Sequence, residues 1–224
     1  MFWDAVRIDG GDVWRISEIT DTGTARALVL LDEPASVPRV RAVEPGRASP
    51  PAPFFGAIDL VIMDAPDLSG SGKSGPFVAA WSNPWSGAVS VKAGLMVDSL
   101  SERVRLNRPA IIGRLTEDVA TGPIGLWDRA NSLTVFCPYG EFSSLPEAQI
   151  LSGGNAILLE TTTGWELIQF QTATLIATST WQLSGLLRGQ RGSEPGSAVP
   201  GARLVLLDDA VLQADMSAEE TGVE

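Results

Sequence analysis

The chain has 224 residues, with 16 Lys+Arg against 27 Asp+Glu, a formal net charge of −11, no histidine and a single cysteine, Cys137. Without histidine there is no Ser-His-Asp or Cys-His machinery, because the general base is missing. One cysteine and no histidine also exclude the common zinc sites, cysteine-ligated iron–sulfur clusters and an internal disulfide.

Hydrophobic residues make up 44 % of the chain, enough for a real core. The length suits one large all-β domain or two small ones. An acidic balance, with a pI near 4.5, argues against nucleic acid as a partner, since phosphate contacts need a basic face. No apolar run reaches the roughly 18 residues of a membrane helix, and Met1-Phe2-Trp3-Asp4 lacks the basic start of a signal peptide. A soluble chain is expected.

In chain order, Val13–Ile16 and Ala27–Leu31 read as strands, the second ended by Asp32-Glu33-Pro34. Residues 34–53 then carry six prolines (Pro34, Pro38, Pro45, Pro50, Pro51, Pro53), a stiff, extended linker composition. A boundary is expected there, with a long surface loop inside one domain as the alternative. Further strands are expected at Ile58–Met63, Pro76–Trp81, Ala88–Lys92, Val104–Leu106, Ile111–Leu115 and Leu133–Cys137. Leu133, Val135 and Cys137 share one pleat face, so Cys137 reads as a buried small hydrophobe. Beyond residue 155 the pattern is denser: Ile157–Glu160, Trp165–Phe170, Thr172–Ala177, Thr180–Leu183 and Arg203–Leu207 form a meander with turns at Thr162-Thr163-Gly164 and Ala177-Thr178-Ser179. The best helix signal is short. Ser144 stands as N-cap with Glu147 as its capping-box partner, and Gly153-Gly154 closes it.

The expected organisation is therefore all-β: antiparallel sandwich or barrel-like modules with a hairpin meander and very little helix. Residues 1–50 comprise N-terminal strands and a Pro-rich linker, 51–213 an all-β module, and 214–224 a disordered acidic tail.

Four groups of residues invite chemistry. Gly70-Ser71-Gly72-Lys73-Ser74 looks like the end of a phosphate-binding loop. However, Asp67 stands where the pattern needs glycine, and the strand-like Gly75–Trp81 follows where a helix is needed. A flexible connection is the preferred reading. Gly185-Leu186-Leu187-Arg188-Gly189-Gln190-Arg191-Gly192 could cradle an anion between amides and guanidinium groups. The favoured alternative is structural: Gly185, Gly189 and Gly192 supply positive φ, while Arg188 or Arg191 pins the loop by donating to backbone carbonyls. Trp81, Trp85 and Trp127 lie beside turn residues, where indoles can stack on sugars or plug the ends of a sheet. Finally, Asp208-Asp209 and Glu117-Asp118 are adjacent in sequence; on a strand, neighbours point to opposite faces, so neither pair makes a local glycosidase dyad. No catalytic residue, metal ligand or cofactor is expected.

Four stretches carry a resemblance. They are Phe77–Gly87 (FVAAWSNPWSG), Gly125–Leu133 (GLWDRANSL), Ile150–Ala156 (ILSGGNA), and Trp165–Phe170 running on to Trp181–Gly192 (WQLSGLLRGQRG). In order and spacing, over residues 10–212, they resemble the C-terminal part of the large baseplate protein of gene transfer agents and related siphophage tails. The opening strands resemble the end of the preceding tail domain. That family is longer and carries an upstream TIM-barrel-like region associated with glycoside hydrolases. The chain has no counterpart to it and is expected to be a fragment or a separately encoded piece. The resemblance implies a non-enzymatic virion component of the tail tip, made in the bacterial cytoplasm. Its expected partners are other tail and baseplate proteins, with no nucleic acid and no membrane span. A carbohydrate-binding module for host cell-surface polysaccharide is the competing expectation.

Overall fold

A computed structural model describes residues 5–7, 13–21, 23, 25–32, 55–66, 75–94 and 96–216. The phosphate-loop-like segment 70–74 and the Pro-rich stretch 34–53 up to Pro53 lie outside the described residues. The chain divides into two units, Met1–Ala52 and Pro53–Glu224.

In the first unit β1 (Ala5–Arg7), β2 (Val13–Asp21) and β3 (Arg26–Asp32) form an antiparallel sheet in that order. A register shift between Ile16 and Glu18 keeps Ile16 opposite Leu30 and Ile19 opposite Leu28. Those four apolar side chains thus share one face despite a three-residue step on β2. The Asp21 carboxylate closes the turn by accepting from the Gly23 N–H at 2.9 Å and from Arg26 Nε at 3.1 Å.

The second unit contains β4 (Asp59–Met63), β5 (Phe77–Trp81), β6 (Val89–Ala93), β7 (Ser101–Leu106), β8 (Ile112–Leu115), β9 (Trp127–Phe136), β10 (Ala156–Thr161), β11 (Gly164–Ala177), β12 (Thr180–Leu187), β13 (Arg203–Leu206) and β14 (Leu212–Gln213). Six of these strands close a barrel in the order β10-β11-β12-β9-β8-β13, with β13 pairing back onto β10. All its pairings are antiparallel. The chain is all-β, as its short alternating apolar runs imply.

Period-two alternation sorts the side chains. On β10 Ile157 and Leu159 face the barrel interior, with Ile168, Phe170, Leu133, Val135, Leu183, Leu186 and Leu204 from the other strands. Leu158 between them faces outward, joining Leu167, Val205 and Ile112 in a second core against Val61, Met63, Phe77 and Ala79 of the β14-β5-β4 sheet. The opposite side of β5, Val78 and Ala80, is covered by Val89 and Leu106 of the β6–β7 hairpin. Burial on both faces explains why β5 is an unbroken apolar run, Phe77-Val78-Ala79-Ala80. Cys137 is buried in the barrel core, where desolvation pushes its thiol up and the Tyr139 carbonyl accepts from Sγ at 2.9 Å.

Three local expectations need correction. The predicted strands Trp165–Phe170 and Thr172–Ala177 are one 14-residue strand, because Phe170↔Leu186 and Thr172↔Ser184 pair without interruption. Helix α1 (Glu147–Leu151) starts after Pro146 with no side-chain cap. Ser144 Oγ instead accepts from the Ala173 N–H at 3.0 Å and donates to the Ala173 carbonyl, so it bridges to β11. Lastly, the packed chain continues past Gln213: Ala214 is buried and its N–H donates to the Pro76 carbonyl at 2.9 Å. Among the described residues no helix is long and apolar enough to cross a membrane.

Candidate functional site

The most ordered polar chemistry in the second unit lies at one end of the barrel. Alternation along β11 places Glu166, Ile168 and Phe170 on the inner face, each fully buried. Alternation from the inward Leu186 past Leu187 places Arg188 on the inner face as well. The two charges meet as a forked pair. Arg188 Nε donates to Glu166 Oε1 at 2.6 Å and Nη2 to Oε2 at 2.7 Å, with both side chains at 0 % exposure.

The pair is also saturated by backbone. Arg188 Nη1 donates to the Ala120 carbonyl at 3.1 Å and Nη2 to the Gly196 carbonyl at 2.8 Å. Glu166 accepts from the Gly189 N–H at 3.1 Å and the Gly196 N–H at 3.2 Å. One ion pair therefore ties β11 to the loop after β12 and to the segments around residues 120 and 196. A lone buried ion costs several kcal/mol of solvation, which only this density of partners offsets.

Asp128, 3 % exposed, lies alongside. Its carboxylate accepts from the Ala130 N–H at 3.2 Å, the Asn131 N–H at 3.0 Å and Asn131 Nδ2 at 2.7 Å. These bonds hold the irregularity where β9 slips against β12, between Ser184↔Ser132 and Leu186↔Asp128. Burial pushes the Asp128 carboxyl up. The bonds from Asn131 and Ala130 and the nearby Arg188 charge outweigh it and leave the pKa below the usual 3.8. Gly122 fits against both groups: a Cβ there would meet Asp128 Oδ2 at 2.6 Å and Arg188 Cγ at 2.8 Å.

The loop glycines have the conformations their chemistry allows cheaply, with φ of +66° at Gly185, +61° at Gly189 and +80° at Gly192. Arg191 shares their left-handed backbone at φ +56°, but its side chain is exposed. Thus the two arginines of one loop part company: Arg188 is locked inside the barrel and Arg191 faces solvent. Sequence reasoning named both arginines but missed Glu166, the partner carboxylate. Its signal is positional, since Glu166 has the inward parity of Ile168 and Phe170.

Trp81, Trp85 and Trp127 are all half-buried and do not belong to one cluster. Trp81 packs on the core beneath the β14-β5-β4 sheet, and Trp85 on the core under the β6–β7 hairpin. The Trp85 indole N–H is buried with no hydrogen-bond partner among the described residues. Trp127 opens β9, with the Arg129 guanidinium 5.8 Å from its ring centre. Among the described residues no group of three or more Asp, Glu or Cys side chains is placed to hold a metal ion.

Residues 110–205 match the family model described as Rcc01698-like, C-terminal, a family name associated with gene transfer agents. The match is to somewhat under half of the chain. It runs from just before β8 nearly to the end of β13, the span of the closed barrel. No curated protein matches the sequence.

Proposed function

We propose that the chain is a structural component of a phage-like tail baseplate of the gene-transfer-agent type, acting in assembly and in contact with the host surface at the tail tip. The observation that carries this reading is the coincidence of the family match, residues 110–205, with the closed barrel and its buried Glu166–Arg188 pair. A barrel without free edges and with a charged, fully bonded plug is a rigid module, suited to repeated assembly. The reading gives the chain no catalysis. Glu166 and Asp128 are occupied by internal partners, which suits a lock on the fold rather than a general acid or base. Its partners are then other tail and baseplate proteins.

The test is an in-frame deletion of the coding region in a producing strain. Particles with incomplete tail tips and lost adsorption or transfer are expected. Particles unchanged in protein content, tip structure and transfer contradict the proposal.

A further inference from the structure

A cavity of about 470 Å³ opens between the C-terminal end of α1 and the Gly189–Gly192 turn. Its wall includes the aliphatic surfaces of Ala156, Leu167 and Leu207. Ser152, Gln169, Gln190 and Arg191 supply its polar side. Both N–H groups of the Gln169 amide are engaged, at 2.6 Å to the Ile150 carbonyl and 2.9 Å to the Gly154 carbonyl. The amide is therefore fixed, with its oxygen as the remaining acceptor.

Arg191 is the unusual member. Its side chain has no hydrogen bond or ion pair among the described residues, although acids outnumber bases in the chain. Its backbone holds φ +56°, between two glycines that adopt positive φ without strain. A glycine would serve the turn better, so the fold does not need this side chain. A strained arginine with no partner among the described residues, at the rim of a cavity, points to a ligand.

We propose that this cavity binds a carboxylated sugar unit, with Arg191 as its anion contact. The planar guanidinium fork matches one carboxylate. Fixed Gln169 Oε1 accepts from a sugar hydroxyl, and the aliphatic wall matches the C–H face of a pyranose ring. A single cation in a chain of net charge −11 favours a monocarboxylate over a multiply charged phosphate. The assignment deepens the host-contact part of the proposed function and rests on it only for the source of the sugar, an acidic surface polysaccharide. Binding is measured on the isolated chain, so it can fail while the assembly role stands, and the converse holds as well.

The experiment is a titration of the full 224-residue chain with methyl glucuronoside, methyl glucoside and inorganic phosphate, followed by backbone amide NMR. Methyl glucuronoside is expected to shift amides of residues 151–156, 167–169 and 189–192, at least tenfold more strongly than methyl glucoside. Arg191→Gly is expected to abolish those shifts with Tm unchanged or raised, and Arg191→Lys to keep a weakened response. Equal response to the neutral sugar, response to phosphate alone, no response to the uronoside, or binding retained in Arg191→Gly each overturns the proposal. So does a lowered Tm in Arg191→Gly, which would show that the side chain serves the fold.

Discussion

Replacing Arg188 with methionine tests the buried lock most sharply. The change keeps a long apolar side chain but removes four donations, two to Glu166 and one each to Ala120 and Gly196. Glu166 stays at zero exposure with only the Gly189 and Gly196 N–H groups as partners. Breaking a buried pair from one side costs about 3–5 kcal/mol. That exceeds the roughly 1–3 kcal/mol expected if Arg188 merely satisfied carbonyls. Against a typical stability of about 5–15 kcal/mol, the loss is large but can leave a folded chain. Glu166→Leu should cost a similar amount. The double variant removes both charges and should cost about 2–3 kcal/mol less than the sum of the singles, a coupling typical of contacting groups. It will not reach wild-type stability, because four backbone groups lose partners. Urea denaturation followed by tryptophan fluorescence gives all four corners of the cycle. Should Arg188→Met fail to fold, Arg188→Lys keeps the charge without the fork and should cost about 1–3 kcal/mol in lost hydrogen bonds. Single-variant costs below about 1 kcal/mol, or strict additivity, would refute the reasoning.

Gly122→Ala should destabilise by roughly 1–3 kcal/mol, since the new methyl meets Asp128 and Arg188, both held by their bonds; thermal melts measure it, and an unchanged Tm contradicts the packing. Asp128 has a lowered pKa in the folded chain, so its contribution is present above pH 3.8 and is lost as pH falls through the folded value. Asp128→Asn should therefore show a shallower loss of stability below that pH than wild type, and parallel acid profiles would contradict it. Asp208 is shifted the opposite way: burial pushes its carboxyl up, partly opposed by the Ala210 N–H, with Asp209 adding to the rise. Its ionised form is disfavoured in the fold, so Asp208→Asn should raise Tm at neutral pH and have no effect below pH 3.8. The buried Cys137 thiol, its pKa raised by burial, should react with a thiol reagent only at the rate of unfolding; rapid labelling in native buffer would contradict its burial.

Most strands were legible because each is a short run bounded by turn residues. Ile157-Leu158-Leu159 illustrates the limit. Its run gives the strand, but which residue points into the barrel depends on the sheet packed outside, through Val61 and Met63. β14 was missed because two residues, Leu212-Gln213, carry no periodicity and owe their state to Phe77 and Val78. The Ser144 signal marks the short helix but not its cap, which is Pro146. β11 competed for the same hydroxyl and won, through the Ala173 N–H and carbonyl. At the barrel end, the glycines and Arg188 could be read from the loop itself. The inward parity of Glu166 is legible, but its partnership with Arg188 is not, because it spans 22 residues and depends on barrel closure. The cavity beside Arg191 is likewise a product of tertiary packing, formed where α1 and the loop after β12 approach.

The most direct test of the tail-baseplate reading is to locate the chain on purified particles. Antibody raised against the recombinant chain, gold-labelled and imaged on intact particles from a producing strain, should decorate the tail tip and leave heads and tail tubes bare. Label on the head or along the tube, or absence of the chain from purified particles by mass spectrometry, would contradict the account.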